Sequence, residues 1–516
     1  MKNQKLFTIM AGMAAVCALA AGAAAQSSDA LLNKLVEKGI LTSAEAGQLK
    51  DEAVTNTANG SKFKMGNSIK SMELFGDFRL RYENRSGEIG QGHYAGDWDS
   101  LNRWRYALRL GARGDLQDDF YYGLRFETSP NPRSPWNTFG GSTGSQSPYQ
   151  GPFSKANNYG IFVGQAYLGW RPQSWLDFSV GRVAQPLYTT PLVWDSDYCP
   201  EGAVEKFKFT AGPADFFATF GQFIYQDANP GTGNQVFGVV GSTPSVTENP
   251  WMFAWQAGLT YHITTNLSAK IAPILYNYVG HGNGASGFYG PFVGQGSALG
   301  LTYTNPTTSS SALPGTSGPP VAGANGNGYN QTGINNLFVL EIPAEINFKL
   351  GSYDARIFGD FGMNFDGDAR ARAAYAAGEA DAAFFKQPNP FPGGVQFGND
   401  KAYQAGLAFG NNVGLTYGMA TKKGTWEARA YWQHVEQYAL DANLLDSDFF
   451  EGRGNLQGVY TALAYSFTDS MIATVRYGLA ERINPNLGTG GFNADLPLVN
   501  PISHYQVVQI DLTLKF

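Results

Sequence analysis

The sharpest chemical signal in this chain of 516 residues is a set of arginines and carboxylates that share one parity. Glu73, Asp77, Arg79, Arg81 and Glu83 alternate with apolar residues, as do Arg103, Arg105, Arg109 and Arg113, and then Arg125 and Glu127. Guanidinium groups neither ligate metals nor act as nucleophiles. Their chemistry is to hold or steer anions, and rings of fixed charge along a narrow low-dielectric passage select ions by sign. If the first two stretches form a hairpin with Glu73 opposite Arg113, then Asp77 meets Arg109 and Glu83 meets Arg103 as ordinary cross-strand ion pairs. That register leaves Arg79, Arg81 and Arg105 uncompensated as candidates for a constriction, with Arg109, Arg113 and Arg125 on the same wall. A second cluster, Asp195, Asp197 and Glu201, lies within Trp194–Gly202. Three readings stay open for it: an inward loop that opposes the arginines, a solvated surface loop, or a calcium site of hard oxygen ligands. Asp446-Ser447-Asp448 and Asp366-Gly367-Asp368 are shorter acidic clusters.

Catalysis is poorly served. A hydrolase needs a nucleophile or activated water held by His and a carboxylate or amide. His93, His262, His281, His434 and His504 mostly fall in loops, at strand ends or on the apolar parity, and none sits beside an obvious inward Ser and Asp. Outside the first 25 residues Cys199 is the one cysteine, so it cannot form an internal disulfide.

The elements that position these charges are strands. From Val508 to Phe516 apolar residues alternate strictly with Gln509, Asp511, Thr513 and Lys515. Such period-two patterning suits a strand with lipid on one side and a watery lumen on the other. Further alternating stretches fall near 71–83, 103–113, 120–127, 159–171, 175–183, 203–211, 215–225, 251–262, 267–278, 337–350, 353–364, 402–420, 425–437, 456–467 and 470–480. With the terminal strand they number about sixteen, enough to leave an aqueous channel. Tight turns such as Gly212-Pro213, Thr264-Thr265-Asn266 and Gly351-Ser352 alternate with long connections. About twenty residues separate the first two strands, and the longest connection, 279–333, is rich in Gly, Ser, Thr, Pro and Asn. Several strands end in aromatics suited to the two headgroup levels, among them Tyr82, Trp104, Phe120, Trp170, Trp175, Trp251, Trp426, Phe467 and Phe516.

Composition agrees. Hydrophobic residues make up 43% and charged residues 15%, and the chain has 64 Gly, 27 Tyr and 35 Phe, a balance that favours short aromatic strands and Gly-rich loops. After the N-terminus no apolar run reaches the roughly 18 residues a membrane helix needs. The net charge of −6 points away from nucleic acid. Residues 1–25 read as a signal peptide, with Lys2 and Lys5, an apolar stretch and Ala23-Ala24-Ala25. Residues 26–53 read as a short periplasmic helical segment, and 54–70 as a linker.

Trp194–Gly202, the Gly181-Arg182 before it, and Lys423-Gly424-Thr425-Trp426-Glu427 through Asp446-Ser447-Asp448-Phe449 resemble the putative porin family of Gram-negative outer membranes. The helical stretch Leu31–Gly39 is similar to N-terminal segments of such porins, and the terminal aromatic Phe516 resembles the closing strand of outer-membrane barrels. The resemblance implies a passive diffusion channel, without cofactor or metal, for small hydrophilic solutes or ions. Its expected partners are outer-membrane lipid, a homotrimer by analogy, and a periplasmic contact through the helices.

The sequence therefore predicts an all-β protein. Residues 71–516 form a transmembrane antiparallel up-and-down β-barrel of about sixteen strands, preceded by a short N-terminal helical segment. The competing readings are an occluded structural or adhesive barrel and, behind it, a barrel hydrolase.

Overall fold

A computed structural model describes residues 66–90, 95–129, 134–140, 160–225, 250–279, 336–385, 393–419, 421–489, 496 and 501–516, with side chains of the helix only as far as 376. The signal-peptide, helical and linker readings of residues 1–65 lie outside the described residues. The contact pattern separates a unit Met1–Ser68 from the unit Ile69–Phe516.

The second unit is one antiparallel sheet closed on itself. Its strands are β1 (Glu73–Ile89), β2 (Trp98–Asp115), β3 (Phe120–Glu127), β4 (Phe162–Gln173), β5 (Leu176–Arg182), β6 (Glu201–Ala211), β7 (Ala214–Ile224) and β8 (Trp251–Thr264). Strand β9 comprises Leu267–Ile271 and Ile274–Val279, and β10 comprises Phe338–Glu341 and Ala344–Leu350. Then follow β11 (Tyr353–Asn364), β12 (Lys401–Gly410), β13 (Trp426–Val435), β14 (Leu456–Ser466), β15 (Met471–Arg482) and β16 (Ile502–Lys515). Nineteen hydrogen-bonded segments thus make sixteen wall strands, because β9 and β10 are each broken once and Asn137–Thr138 is a two-residue strip beside β2. The breaks sit at Pro273 and Pro343, which have no N–H to give the ladder. β16 pairs with β1, Asp77 opposite Lys515 and Arg81 opposite Asp511, and this closes the barrel without a free edge.

Parity explains the stability of this wall. On one face Leu74, Phe78, Leu110, Phe126, Leu168, Phe216, Ile357, Leu407, Leu463, Val475 and Leu514 are exposed, which only an apolar surrounding makes favourable. Aromatics gather at both rims of that face. Phe120 stacks on Trp170 at 6.0 Å and Trp175 on Phe207 at 6.1 Å near the tight turns. Tyr82 meets Trp104 at 5.2 Å and Tyr403 meets Trp432 at 5.2 Å toward the other rim. The opposite face carries the charged residues, and toward mid-wall, as at Arg81, Glu83, Arg85, Arg109 and Asp511, they are buried.

Three local readings change. The first hairpin climbs to Ile89 and descends from Trp98, so its connection is far shorter than the expected twenty residues. The alternation fades after Glu83 because the outward positions Asn84, Ser86 and Glu88 stand past the apolar band, where polar residues cost nothing. The strand expected over 402–420 ends at Gly410, and its continuation turns into a 3-10 helix, Leu415–Tyr417, whose Gly414 and Thr416 N–H groups donate to Glu427 at 3.0 and 2.7 Å. Asp366-Gly367-Asp368 is not a loop cluster; it opens an alanine-rich helix, α1 (Gly367–Phe385), with Asp368 in the first turn.

Candidate functional site

The expected hairpin register is present: Glu73 lies opposite Arg113, Asp77 opposite Arg109 and Glu83 opposite Arg103. Two of the three pairs form as direct ion pairs, Arg113–Glu73 at 2.7 Å and Arg103–Glu83 at 2.5 Å. The third is exchanged. Asp77 turns to Arg79 at 2.5 Å, while Arg109 reaches Asp197 at 2.5 Å on the segment between β5 and β6.

The three arginines expected to be uncompensated are compensated. Arg81 is 2% exposed and stands opposite Arg105 on one side and Asp511 on the other, an arrangement that needs acid from elsewhere. It obtains two bonds from Asp511, at 2.7 and 2.8 Å, and one from Asp448 at 2.6 Å. Trp136 covers it, 4.3 Å from the guanidinium to the ring centroid, and Arg105 approaches the same ring at 5.9 Å. Arg105 also lies 3.6 Å from Glu83. For Arg81 the missing carboxylates come from the closing strand and a distant connection, whereas Arg79 and Arg105 share Asp77 and Glu83 of the first hairpin itself.

Two residues of this wall were missed. Arg85, 1% exposed, binds Glu83 at 3.0 Å, Tyr505 at 2.8 Å and the Ser447 carbonyl at 3.0 Å. Arg476 on β15 pairs with Asp511 and donates to the Thr416 carbonyl at 3.2 Å. Arg85 could have been found from its parity had β1 been read past Glu83. The other expected wall residues separate: Arg125 bonds Glu127 at 3.1 Å and contacts the buried Cys199, whereas Arg113 sits with Glu73 at the exposed tight-turn rim.

Two chain segments run through the interior of the barrel and meet there. The first spans 183–200. At its root Gly181, with φ 124°, takes a backbone conformation other residues rarely adopt, and a Cβ there would lie 2.3 Å from the Ala166 carbonyl oxygen. The segment then crosses to the far wall. Tyr188 N–H donates to Gln256 at 2.9 Å, and Gln256 returns bonds to the Tyr188 carbonyl at 2.8 Å and the Ala272 carbonyl at 3.2 Å, beside the proline break. Thr189 donates to Glu341 at 2.6 Å and Thr190 to Asp360 at 2.5 Å. It comes back to Arg109 through Asp197. The second segment, 436–455, brings Asp448 to Arg81 and ties its far end through Glu451 and Arg453, which pair at 3.0 Å. The two segments are joined where Asp195 accepts from the Ser447 N–H at 3.1 Å and hydroxyl at 2.9 Å, and gives its own N–H to the Leu444 carbonyl at 2.7 Å.

The four acids at this junction are in opposed states. Burial, with Asp197 nearby, pushes the Asp195 carboxyl up to about 7. Burial, with Asp195 and Asp448 beside it, raises Asp446 as well. Burial opposes ionisation of Asp197 and Asp448 too, yet Arg109 and Arg79 hold the first below its ordinary value, and Arg81 and Arg476 hold the second well below. The expected acidic cluster is therefore split: Asp195 and Asp197 belong to the interior, whereas Glu201 starts β6 and pairs with Arg182 at 2.5 Å on an exposed site.

Apolar packing fixes the same segments on the other side. Trp194 lies 6.3 Å from Phe223 and 6.1 Å from Tyr276, and Leu192, Leu440, Leu444, Leu445, Phe449 and Phe450 join one buried cluster with wall residues of β6 to β16. Phe449 seats against Gly478, where a Cβ would come within 2.5 Å of its ring. The expectation of a wholly aqueous lumen is thus corrected: part of the interior is a hydrophobic core. Two cavities border the first segment on its tight-turn side. One, of about 390 Å³, is lined by Arg79, Arg81, Arg476 and Lys515 together with Asp197, Asp448 and Asp511. The other, of about 590 Å³, lies on the far side of Leu187, which lines both.

A family model described as putative porin matches residues 94–516. The chain belongs to the putative porin family. Solved outer-membrane barrels are similar to this porin-family chain at low identity. They include the high-pH structure of Pseudomonas putida OprB (14% identity, 87% of this chain and 94% of that one, TM-score 0.44). They include also an anion-selective porin from Comamonas acidovorans (10%, 86% and 99%, 0.39) and Salmonella typhi OmpF in complex with daunomycin (9%, 88% and 100%, 0.39). A comparison with curated protein sequences finds no match. Among the described residues no group of three or more His, Cys, Asp or Glu side chains is arranged to hold a metal ion.

Proposed function

We propose that this chain is an outer-membrane porin, a channel for passive diffusion of small hydrophilic solutes or ions. The observation that carries this reading is the pair of charged cavities beneath a segment that crosses the interior of a closed sixteen-strand wall. A closed wall with a lipid-compatible outer face and a water-accessible charged interior has transport as its natural use. In this reading residues 183–200 narrow the passage, with Asp195 and Asp197 at its tightest level and Glu201 at its outer root. Arg79, Arg81, Arg105, Arg109, Arg113 and Arg125 form the facing wall. Because most of these cations already face acids, the wall supplies an oriented field across the passage more than a net positive charge.

Export through a cleaved signal peptide at 1–25, a periplasmic segment at 26–53, a linker at 54–70 and a homotrimeric assembly complete the proposal. The export route is supported by the charged, apolar and small-residue order of the N-terminus and by the even strand count, which puts both barrel ends on one side; the trimer rests on analogy with barrels of this size.

The test is the purified protein in a planar bilayer under a potassium chloride gradient, with conductance and reversal potential read together. Stepwise conductance supports the channel. A second reading, an occluded structural barrel, draws on the junction of the two interior segments at Asp195 and Ser447; absence of any conductance in correctly folded protein would make it the better one.

A further inference from the structure

The larger cavity, about 590 Å³, differs in kind from the arginine side. Its charged lining is Arg171, Lys206, Lys208 and Lys270 against one acid, Asp177. That acid is already engaged, accepting from Arg171 at 3.1 Å and from the Tyr121 hydroxyl at 2.5 Å. Glu345, the register neighbour of Lys270, pairs with Arg356 at 3.5 Å and accepts from Asn347 at 3.0 Å, so it acts on Lys270 beyond ion-pair distance. Among the described residues Lys206, Lys208 and Lys270 have no carboxylate within ion-pair distance. Instead the Lys270 ammonium sits 3.2 Å over the Tyr188 ring and 5.2 Å from the Phe217 ring. Pro186 and Leu187 add apolar surface from the crossing segment.

We propose that this cavity binds a small organic carboxylate, with Lys206, Lys208 and Lys270 holding the anionic head and Tyr188, Leu187 and Phe217 covering an apolar body. Four cations, with only Asp177 in the lining and Glu345 beside Lys270, leave a net positive potential in a concave, partly low-dielectric space, which concentrates anions. The free cations here are lysines. The one arginine is committed to Asp177, so no fork remains for bidentate capture of phosphate, and point-charge recognition of a carboxylate fits better. The apolar surfaces distinguish an organic anion from chloride: an aromatic body removes both its own and the pocket's surface from water. This inference rests on the channel reading for its access route, not for its binding chemistry.

The experiment uses full-length folded protein and benzoate as probe. In bilayers at 0.1 M KCl, where screening acts over about 10 Å, benzoate added from either side is expected to reduce the chloride current in a concentration-dependent way. Acetate and inorganic phosphate are expected to need at least about tenfold more, a difference of roughly 1.4 kcal/mol. The triple variant Lys206→Gln, Lys208→Gln, Lys270→Gln is expected to lose the block, and Lys423→Gln at a tight turn to retain it. Benzoate titration calorimetry in detergent reads binding without conductance. A barrel that shows benzoate heat but no current refutes the channel and keeps the site. A conducting triple variant with undiminished benzoate block overturns the site, as does acetate acting as strongly as benzoate. Heat-modifiable gel mobility checks that each variant is folded.

Discussion

The two sides of the barrel interior solve the burial problem in opposite ways. On β1, β2, β15 and β16 the lining is Arg81, Arg85, Glu83, Arg103, Arg476 and Asp511, each held by several charge-assisted bonds. Across from it Phe223, Met252, Ile274, Tyr276 and Val339 meet Trp194 and the leucines of the second interior segment. The apolar side draws its stability from area removed from water and tolerates modest changes of shape. The charged side draws little net stability from burial, because desolvation opposes each attraction, but it fixes geometry: losing one partner strands the others. The junction of the interior segments, at Asp195 and Ser447, lies between the two regimes.

The largest expected effect comes from breaking the apolar side. Trp194→Ala removes a side chain only 2% exposed, for a loss of about 3–5 kcal/mol, and leaves the crossing segment without its anchor on β7 and β9. Its denaturant midpoint in detergent should fall, and its bilayer conductance should become larger and noisier than wild type. A quieter or smaller current would show that the segment is not held by this ring.

Next in size is the charged side. Arg81→Gln leaves Asp511 and Asp448 facing each other with less positive charge, and should cost about 3–5 kcal/mol. Arg79→Gln, which loses chiefly Asp77 at a less buried position, should cost clearly less. Urea unfolding monitored by heat-modifiable mobility ranks the two; equal losses would mean that the network with Asp448 and Asp511 adds nothing beyond one local pair.

The third effect is a pH dependence at the junction. Asp195 has its folded value raised to about 7, so the folded chain keeps a proton that the unfolded chain has already released. The stability this contributes is fully present below the ordinary carboxylate range and is lost as pH rises through about 7. Contact between the interior segments should therefore loosen from pH 6 to pH 8, seen as more frequent current fluctuations, and Asp195→Asn should flatten the dependence. A dependence that survives in Asp195→Asn would assign it to Asp446 instead, which shares the site.

The sequence made most of the wall legible. Strict alternation, tight turns and rim aromatics depend on neighbours along one strand, so sixteen strands and the β1–β2 register could be read directly. What could not be read were partners that the barrel brings together from far along the chain. Arg81 looked uncompensated because Asp511 lies 430 residues away and Asp448 lies in a connection. The buried cluster around Trp194 was hidden for a related reason: leucines at 440, 444 and 445 fall in a non-periodic stretch, and only folding inward gives them an apolar surface to cover. Helix α1 was missed although its alanine content was visible, because Asp366-Gly367-Asp368 was read as a short acidic loop cluster and not as a helix start.

The smallest expected effect sharpens the same contrast at the rim. Arg113 and Glu73 form a bidentate pair at 2.7 and 3.0 Å, as well shaped as any in the interior, yet their side chains are 55% and 58% exposed. In water the attraction is screened and the ordering of two long side chains opposes it. Arg113→Gln should leave the unfolding midpoint within error of wild type, while Arg103→Gln, whose partner Glu83 is fully buried, should lower it measurably. If both variants shift alike, burial is not what separates the interior pairs from the rim pair. The difference between Arg81 and Arg79 would then have to come from the number of partners alone.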